Sequence, residues 1–290
     1  MDTIKQMNLA MQYIEAHLMD ELDYLELSKI ACCSEYHFRR VFSYLAGMPL
    51  SEYIRLRKLA VAAILLRDSD EKIIDIAIRF GYESPDAFTR AFQSLHHVTP
   101  TQARKDTVQL KAFLPMTFQL KVQGGNLMDY RIETKEAFKI VGISKRIKLV
   151  YEGVNPQMDD MWARLKPEDF VALKKLSNIQ PSGIICASTN FGEGRQEGAE
   201  LDQYIGVATT VDNIPARWET LNVLPSNWAV FTVCGEFPQA LQDVWARIYS
   251  EWLPTSGYEV VPGPEILWNE SPDTSKPDYK SEIWIPVIRK

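Results

Sequence analysis

A nine-residue pattern occurs twice in the first hundred positions, and this repetition limits the fold more than any other part of the chain. Ser34-Glu-Tyr-His-Phe38-Arg-Arg40-Val-Phe42 returns fifty positions later as Ser84-Pro-Asp-Ala-Phe88-Thr-Arg90-Ala-Phe92, both fitting S-x-x-x-F-x-R-x-F. Each copy follows a short stretch with apolar residues at helical spacing, Leu25 to Ala31 before the first and Ile73 to Phe80 before the second. The unit therefore reads as helix, tight turn, helix. In the second copy Gly81 supplies a permissive turn, Ser84 an N-cap, and Pro85 a first helical residue whose missing N–H is not needed there. In the first copy Ser34 again caps, but the turn holds Cys32 and Cys33 and no glycine, which predicts local strain.

Within each second helix one stripe is apolar and packs inward: Phe38, Val41, Phe42 and Leu45 in the first copy, Phe88, Ala91, Phe92 and Leu95 in the second. The other face carries Tyr36, Arg39 and Arg40, or Asp86, Thr89, Arg90 and Gln93, side chains able to bond base edges and phosphates. The same residues would also suit a solvated face with intramolecular ion pairs at Arg40 and Arg90. It is the occurrence of two such helices that favours DNA. Between them, residues 50–66 form an uninterrupted helical pattern, roughly 25 Å long at 1.5 Å per residue. With its flanking helices, a connector of that length can set two reading helices against major grooves one turn, or about 34 Å, apart. Arg55, Arg57 and Lys58 on this connector are placed for the intervening phosphates.

Net charge narrows the argument without carrying it. The chain of 290 residues has a formal charge of −6. Residues 1–125 hold fifteen basic and fifteen acidic groups, so no broadly basic surface announces nucleic acid. DNA binding rests on where particular side chains point. Cys32, Cys33, Cys186 and Cys234 lack C-x-x-C spacing, and His17, His37, His96 and His97 form no ligand cluster. No metal and no cofactor are expected. No apolar run approaches the roughly 20 residues of a membrane helix, and the N-terminus lacks a basic segment followed by an apolar block. A soluble, cytoplasmic protein with no membrane partner is the expectation.

The repeated units and their connector resemble the DNA-binding module of AraC/XylS-family regulators over about residues 3–104. The most specific part is Ile76-Ala77-x-x-x-Gly81-Tyr-Glu-Ser84-x-x-x-Phe88-x-Arg90-x-Phe92, closing with Thr99-Pro100-x-x-x-Arg104. Departures are Ser28 for alanine, the missing first-turn glycine, and His97 for glycine. The resemblance implies base contacts from Tyr36, Arg39 and Arg40, then from Pro85, Asp86, Thr89 and Arg90.

After Arg104 the periodicity changes. Leu114, Met116, Phe118, Leu120 and Val122 alternate, Gly124-Gly125 turns the chain, and residues 128–133 alternate again, which predicts a hairpin. Further strands are expected at 139–144, 183–188, 204–209, 228–234 and 282–288, with helices near 156–165 and 237–252. The region is α+β. In the last strand Glu282 and Trp284 share one face, an acid beside an indole. Such a pair can attract a flat or cationic organic ligand, or it can be a solvated edge residue next to a core tryptophan. The tryptophans at 162, 228, 245, 252, 268 and 284 are equally core by default.

This second region resembles GyrI-like effector-binding domains. The matching motifs run in order from Tyr130-Arg-Ile-Glu-x-Lys-x-x-Phe138-x-Ile-Val-Gly142-Ile, through Trp228-Ala-Val-Phe231 and Trp252-Leu-Pro-x-Ser-Gly257-Tyr258-Glu259, to Glu282-Ile-x-Ile-Pro286. The resemblance implies two pseudo-repeated β-α-β-β halves around a ligand cleft, with Glu282 as the terminal-strand glutamate. A second acidic position of the family falls at Leu267. Trp284, Trp162, Tyr204, Trp228 and Trp268 are the accompanying ligand candidates.

Together these readings predict two domains, an all-α double helix-turn-helix over 1–106 and an α+β effector domain over 110–290. The expected function is a transcription regulator, by analogy an activator, partnered by double-stranded DNA, a small aromatic or cationic effector and, as a further candidate, RNA polymerase. Two alternatives compete: a GyrI-like hydrolase using the cleft glutamate, and a constitutive DNA-binding protein whose second domain binds proteins. No nucleophile–base pair or phosphate loop supports an enzyme.

Overall fold

The computed structural model describes residues 3–105, 107–119, 127–150, 153–192 and 198–290. Packing divides the chain into two compact units, residues 1–38 with 48–121, and residues 39–47 with 122–290.

Seven helices occupy the first hundred residues: α1 (Thr3–Ala16), α2 (Tyr24–Ala31), α3 (Glu35–Ala46), α4 (Leu50–Asp68), α5 (Ile73–Arg79), α6 (Pro85–His96) and α7 (Pro100–Ala103). The helix pairs α2–α3 and α5–α6 are the two repeats. Ser34 and Ser84 both accept hydrogen bonds from the first turns of their helices, from His37 N–H and Ala87 N–H at 3.2 Å each. Gly81 turns the chain at φ +81°. In the other copy Cys32 takes that role at φ 52°. A left-handed conformation in a residue with a Cβ stores on the order of 1 kcal/mol, so the expected strain sits at Cys32. His97, the other departure from glycine, is likewise left-handed at φ 61°.

The connector α4 runs 19 residues, about 28 Å at 1.5 Å per residue. Its Leu59, Ala62, Ala63 and Leu66 pack with Ile76, Ala77, Phe80, Phe88, Phe92 and Ala103 into one core. The apolar stripe of α6 thus faces inward as its periodicity requires.

Residues 107–119 correct the expected hairpin. They are extended but form no strand, and β1 (Tyr130–Lys135) pairs with β6 (Ser226–Cys234) instead. The turn at Gly124-Gly125, with Leu120 and Val122, lies outside the described residues. The alternation has a different physical origin: side chains of the helical unit bind this segment's main chain. Asn8 donates to Phe118 C=O and accepts from its N–H, at 2.9 and 2.8 Å. Tyr53 Oη accepts from Met116 N–H at 3.2 Å, Arg57 donates to Phe113 C=O, and His96 Nδ1 accepts from Lys111 N–H at 3.3 Å. The segment is a strap on α1, α4 and α6.

The second unit is built on nine antiparallel strands. Besides β1 and β6 these are β2 (Phe138–Lys148), β3 (Ile185–Thr189), β4 (Glu200–Thr209), β5 (Glu219–Val223), β7 (Tyr258–Val260), β8 (Glu265–Asn269) and β9 (Lys280–Arg289). Their order is β1-β6-β9-β8-β3-β4-β2-β5, with β7 also on β9. Helices α8 (Pro156–Ala163), α9 (Pro167–Leu176), α10 (Gln239–Arg247), a π-helical turn (Ile248–Trp252) and α11 (Leu253–Ser256) complete it. At the β2–β4 crossing Gly142 faces Gly206, where a Cβ on Gly142 would lie 2.0 Å from Ile205 O. Only glycine permits that approach.

The sheet curls on itself. Phe138 on β2 and Trp228 on β6, far apart in strand order, have ring centroids 6.0 Å apart. The enclosed face holds Ile140, Ala187, Trp228, Ile266 and Trp284, with Tyr204 and Trp268 against them. On the other face Met161, Leu173, Cys186, Leu201 and Ile205 join Trp162 and Leu267 beneath α8 and α9. The unit is sheet-rich α+β.

Candidate DNA-reading helices and effector cavity

On α6 the candidate contact residues are arranged as the repeat predicts. Pro85, Asp86, Arg90 and Gln93 are exposed and Thr89 is half-buried, while Phe88 and Phe92 are buried. An N-terminal turn bearing one acid and one arginine on an exposed face offers both acceptors and donors. On α3 Tyr36 and Arg39 are half-buried. Arg40 is buried at 9% exposure, with its guanidinium on Tyr249 Oη and Glu265.

The connector's cations are mostly engaged. Arg57 is held by Glu15, at 2.8–3.0 Å, and by Phe113 C=O. Lys58 reaches Phe80 C=O at 3.5 Å, and burial pushes its ammonium below the usual lysine range. Neither can serve phosphates without leaving these partners, which corrects the expectation from spacing. Arg55 is more open, though Glu52 grips it at 2.7 Å and holds its guanidinium charged.

The second unit contains a cavity of about 780 Å³ between α8, α10 and one sheet face. That is the volume range of small-molecule sites. Its sheet floor carries Cys186, Ser188, Gln203, Glu265 and Leu267, and Trp162 and Trp245 stand on the helical walls. Register explains the set. Ser188 faces Glu265 and Gln203, and Cys186 faces Leu267, so these residues share one face by the period-two rule. Glu265 is 1% exposed and accepts from Tyr249 O–H at 2.6 Å. Burial raises the Cys186 thiol to about 12, so it remains neutral and acts as apolar wall.

Of the six ligand candidates from sequence, Trp162 lines this cavity. Glu282, Trp284, Tyr204, Trp228 and Trp268 do not, because the register puts them on the enclosed face: Trp268 opposes Glu282, Ile266 opposes Trp284, and Ala187 opposes Tyr204. Trp228 and Trp284 are 1% exposed core residues. The acid beside an indole exists, with Trp284 Nε1–H donating to Glu282 at 3.0 Å. The chain's own cations serve it. Arg131 pairs with Glu282 at 2.8 Å and lies 5.4 Å from the Trp284 ring centre, and Lys135 lies 5.2 Å from it. Sequence reasoning missed Glu265, which stands two residues before Leu267 and therefore on the same face of β8.

Residues 128–288 match the GyrI-like small molecule binding domain, and residues 27–106 match a helix-turn-helix domain. The chain belongs to the GyrI-like family. Its helical part is of AraC type. Over 96 residues it is 38% identical to the uncharacterized HTH-type transcriptional regulator YbfP of Bacillus subtilis, covering 33% of this chain and 32% of that one. Over 92 residues it is 32% identical to the HTH-type transcriptional activator AarP of Providencia stuartii, covering 32% of this chain and 68% of that one. The chain thus spans about a third of the first relative's length. A solved structure of SAV2435 bound to tetraphenylphosphonium is 23% identical, covers 56% of this chain and 94% of that one, and has a TM-score of 0.44. Among the described residues of this GyrI-like chain, no helix is long and apolar enough to cross a membrane.

Proposed function

We propose that this chain is a transcription regulator that reads duplex DNA with α3 and α6 and is modulated by a small organic cation held at Glu265. The observation that carries the reading is a carboxylate buried to 1% exposure on the floor of a cavity of about 780 Å³ walled by tryptophan. A buried carboxylate demands a compensating cation, and aromatic walls favour one with a flat apolar body. Residues 1–106 form the DNA-binding part, with Tyr36, Arg39, Arg40, Pro85, Asp86, Thr89 and Arg90 as contacts. Residues 110–290 form the effector part, read as two β-α-β-β halves: β2, α8–α9, β3, β4, and β6, α10, β8, β9. The regulator acts in the cytoplasm, as an activator with RNA polymerase as its downstream partner, and binds its ligand without turnover.

Tryptophan fluorescence tests this directly. Titration of the full chain with tetraphenylphosphonium, an aromatic cation, should give saturable quenching through Trp162 and Trp245. Glu265→Gln should weaken binding by about tenfold or more, the equivalent of about 1.4 kcal/mol for one lost charge contact. Equal affinity in both proteins would overturn the assignment.

A further inference from the structure

Arg40 and Glu265 both lie in the second unit, and their contact is unusually complete. Arg40 Nη2 pairs with Glu265 Oε1, while Nε and Nη2 donate to Tyr249 Oη at 3.2 and 3.1 Å. Tyr249 donates in turn to the same Glu265 oxygen at 2.6 Å. The guanidinium carbon lies 4.6 Å from the Phe191 ring centre, and Tyr44 stacks on Tyr249 at 4.8 Å. The side chains of the pair are 8% and 1% exposed. A flat delocalised cation therefore rests on a buried carboxylate among aromatic rings, the chemistry proposed above for the effector.

We propose that Arg40 is an internal stand-in for the effector cation, so that ligand binding at Glu265 and DNA contact by Arg40 are coupled through a single exchange. The proposal rests on the reading of Glu265 as the effector carboxylate and of Arg40 as a DNA contact. One guanidinium cannot bond Glu265 and a phosphate or base edge at once. Removing it without replacement would leave Glu265 charged, buried and uncompensated, at several kcal/mol. A neutral or anionic compound thus cannot evict Arg40, whereas an organic cation restores the charge balance as it enters. The exchange selects cations by the same step that frees Arg40, and a donor-bearing planar head such as an amidinium or guanidinium reproduces the bonds to both Glu265 and Tyr249.

The exchange predicts competition. Apparent affinity falls by the fraction of molecules whose site is open, so a contact closed nine-tenths of the time weakens a ligand about tenfold. Tetraphenylphosphonium is titrated by tryptophan quenching into the full wild-type chain, Arg40→Met, which keeps an apolar stem without charge, and Glu265→Gln. Arg40→Met should bind on the order of tenfold tighter than wild type, and Glu265→Gln should lose binding. Should Arg40→Met fail to fold, Arg40→Lys keeps the charge but not the planar fork, and should still bind more tightly than wild type. Equal or weaker binding by the folded Arg40 variant, with binding still dependent on Glu265, overturns the stand-in and leaves the effector site standing. No binding by any protein, or binding indifferent to Glu265→Gln, overturns the effector site and the stand-in with it.

Discussion

Glu282 on β9 and Trp268 on β8 are cross-strand partners, so both face the enclosed side of the curled sheet, away from the cavity beneath α8 and α10. Glu282 is structural: it joins the terminal strand to edge strand β1 through Arg131 at 2.8 Å. Glu282→Gln should leave tetraphenylphosphonium affinity within twofold of wild type. It should lower stability by only about 0.5–1 kcal/mol, because Arg131 is solvent-screened at 43% exposure. Parallel quenching titrations and urea melts check both, and a large affinity loss would return Glu282 to the binding site.

The contrast between Glu282 and Glu265 shows what the sequence could and could not convey. Alternation correctly put Glu282 and Trp284 on one face of the last strand. A curled sheet covers both its faces, however, and a period of two does not say which covered face leaves a cavity. The strand holding Glu265 escaped notice because Glu-Ile-Leu-Trp-Asn is a short apolar run without alternation, preceded by Pro262-Gly-Pro, and such runs carry no period. The helical repeat was more legible, since cap, turn and stripe signals agree at Gly81, Ser84 and Pro85. The burial of Arg40 was not, since its partner Glu265 lies 225 positions away and nothing local marks it.

The strap over 107–119 should loosen when its anchor is cut. Asn8 satisfies both main-chain groups of Phe118, and two net hydrogen bonds contribute about 1–3 kcal/mol. Asn8→Ala should therefore speed amide hydrogen exchange at Phe118 and proteolytic cleavage within the strap, with α6 protected as before. Unchanged exchange would show that Asn8 does not hold the segment.

His96 makes the strap sensitive to acid. Lys111 N–H donates to its Nδ1, so that nitrogen is unprotonated and Nε2–H donates to Leu59 C=O at 3.3 Å. Desolvation, with a smaller contribution from the Lys111 and His97 charges, holds the ring below the ordinary value of 6.5 despite the opposing Leu59 bond. The unfolded chain therefore takes up the proton first as pH falls. The stability this site contributes is present above about pH 6.5 and is lost as pH drops toward the lowered folded value. Thermal melts from pH 7.5 to 5 should show this loss, and His96→Gln should flatten that part of the profile. An identical slope in the variant would remove His96 as its source.

The strained first turn gives the most direct test of the repeat. Cys32 occupies the left-handed region at φ 52° where the second copy has Gly81 at φ +81°. Its exposed thiol makes only a long contact, 3.5 Å, to Lys29 C=O, so little packing is lost with the side chain. Glycine relieves the Cβ clash but adds freedom to the unfolded chain, and the two effects partly offset. Cys32→Gly should still raise stability, by about 0.5–1 kcal/mol, whereas Gly81→Ala at the matching position should lower it by about 1 kcal/mol or more. Opposite signs at two equivalent turns, read from denaturant midpoints at constant m-value, follow only if both copies require the same left-handed corner; the same sign at both would mean that the two turns are built differently.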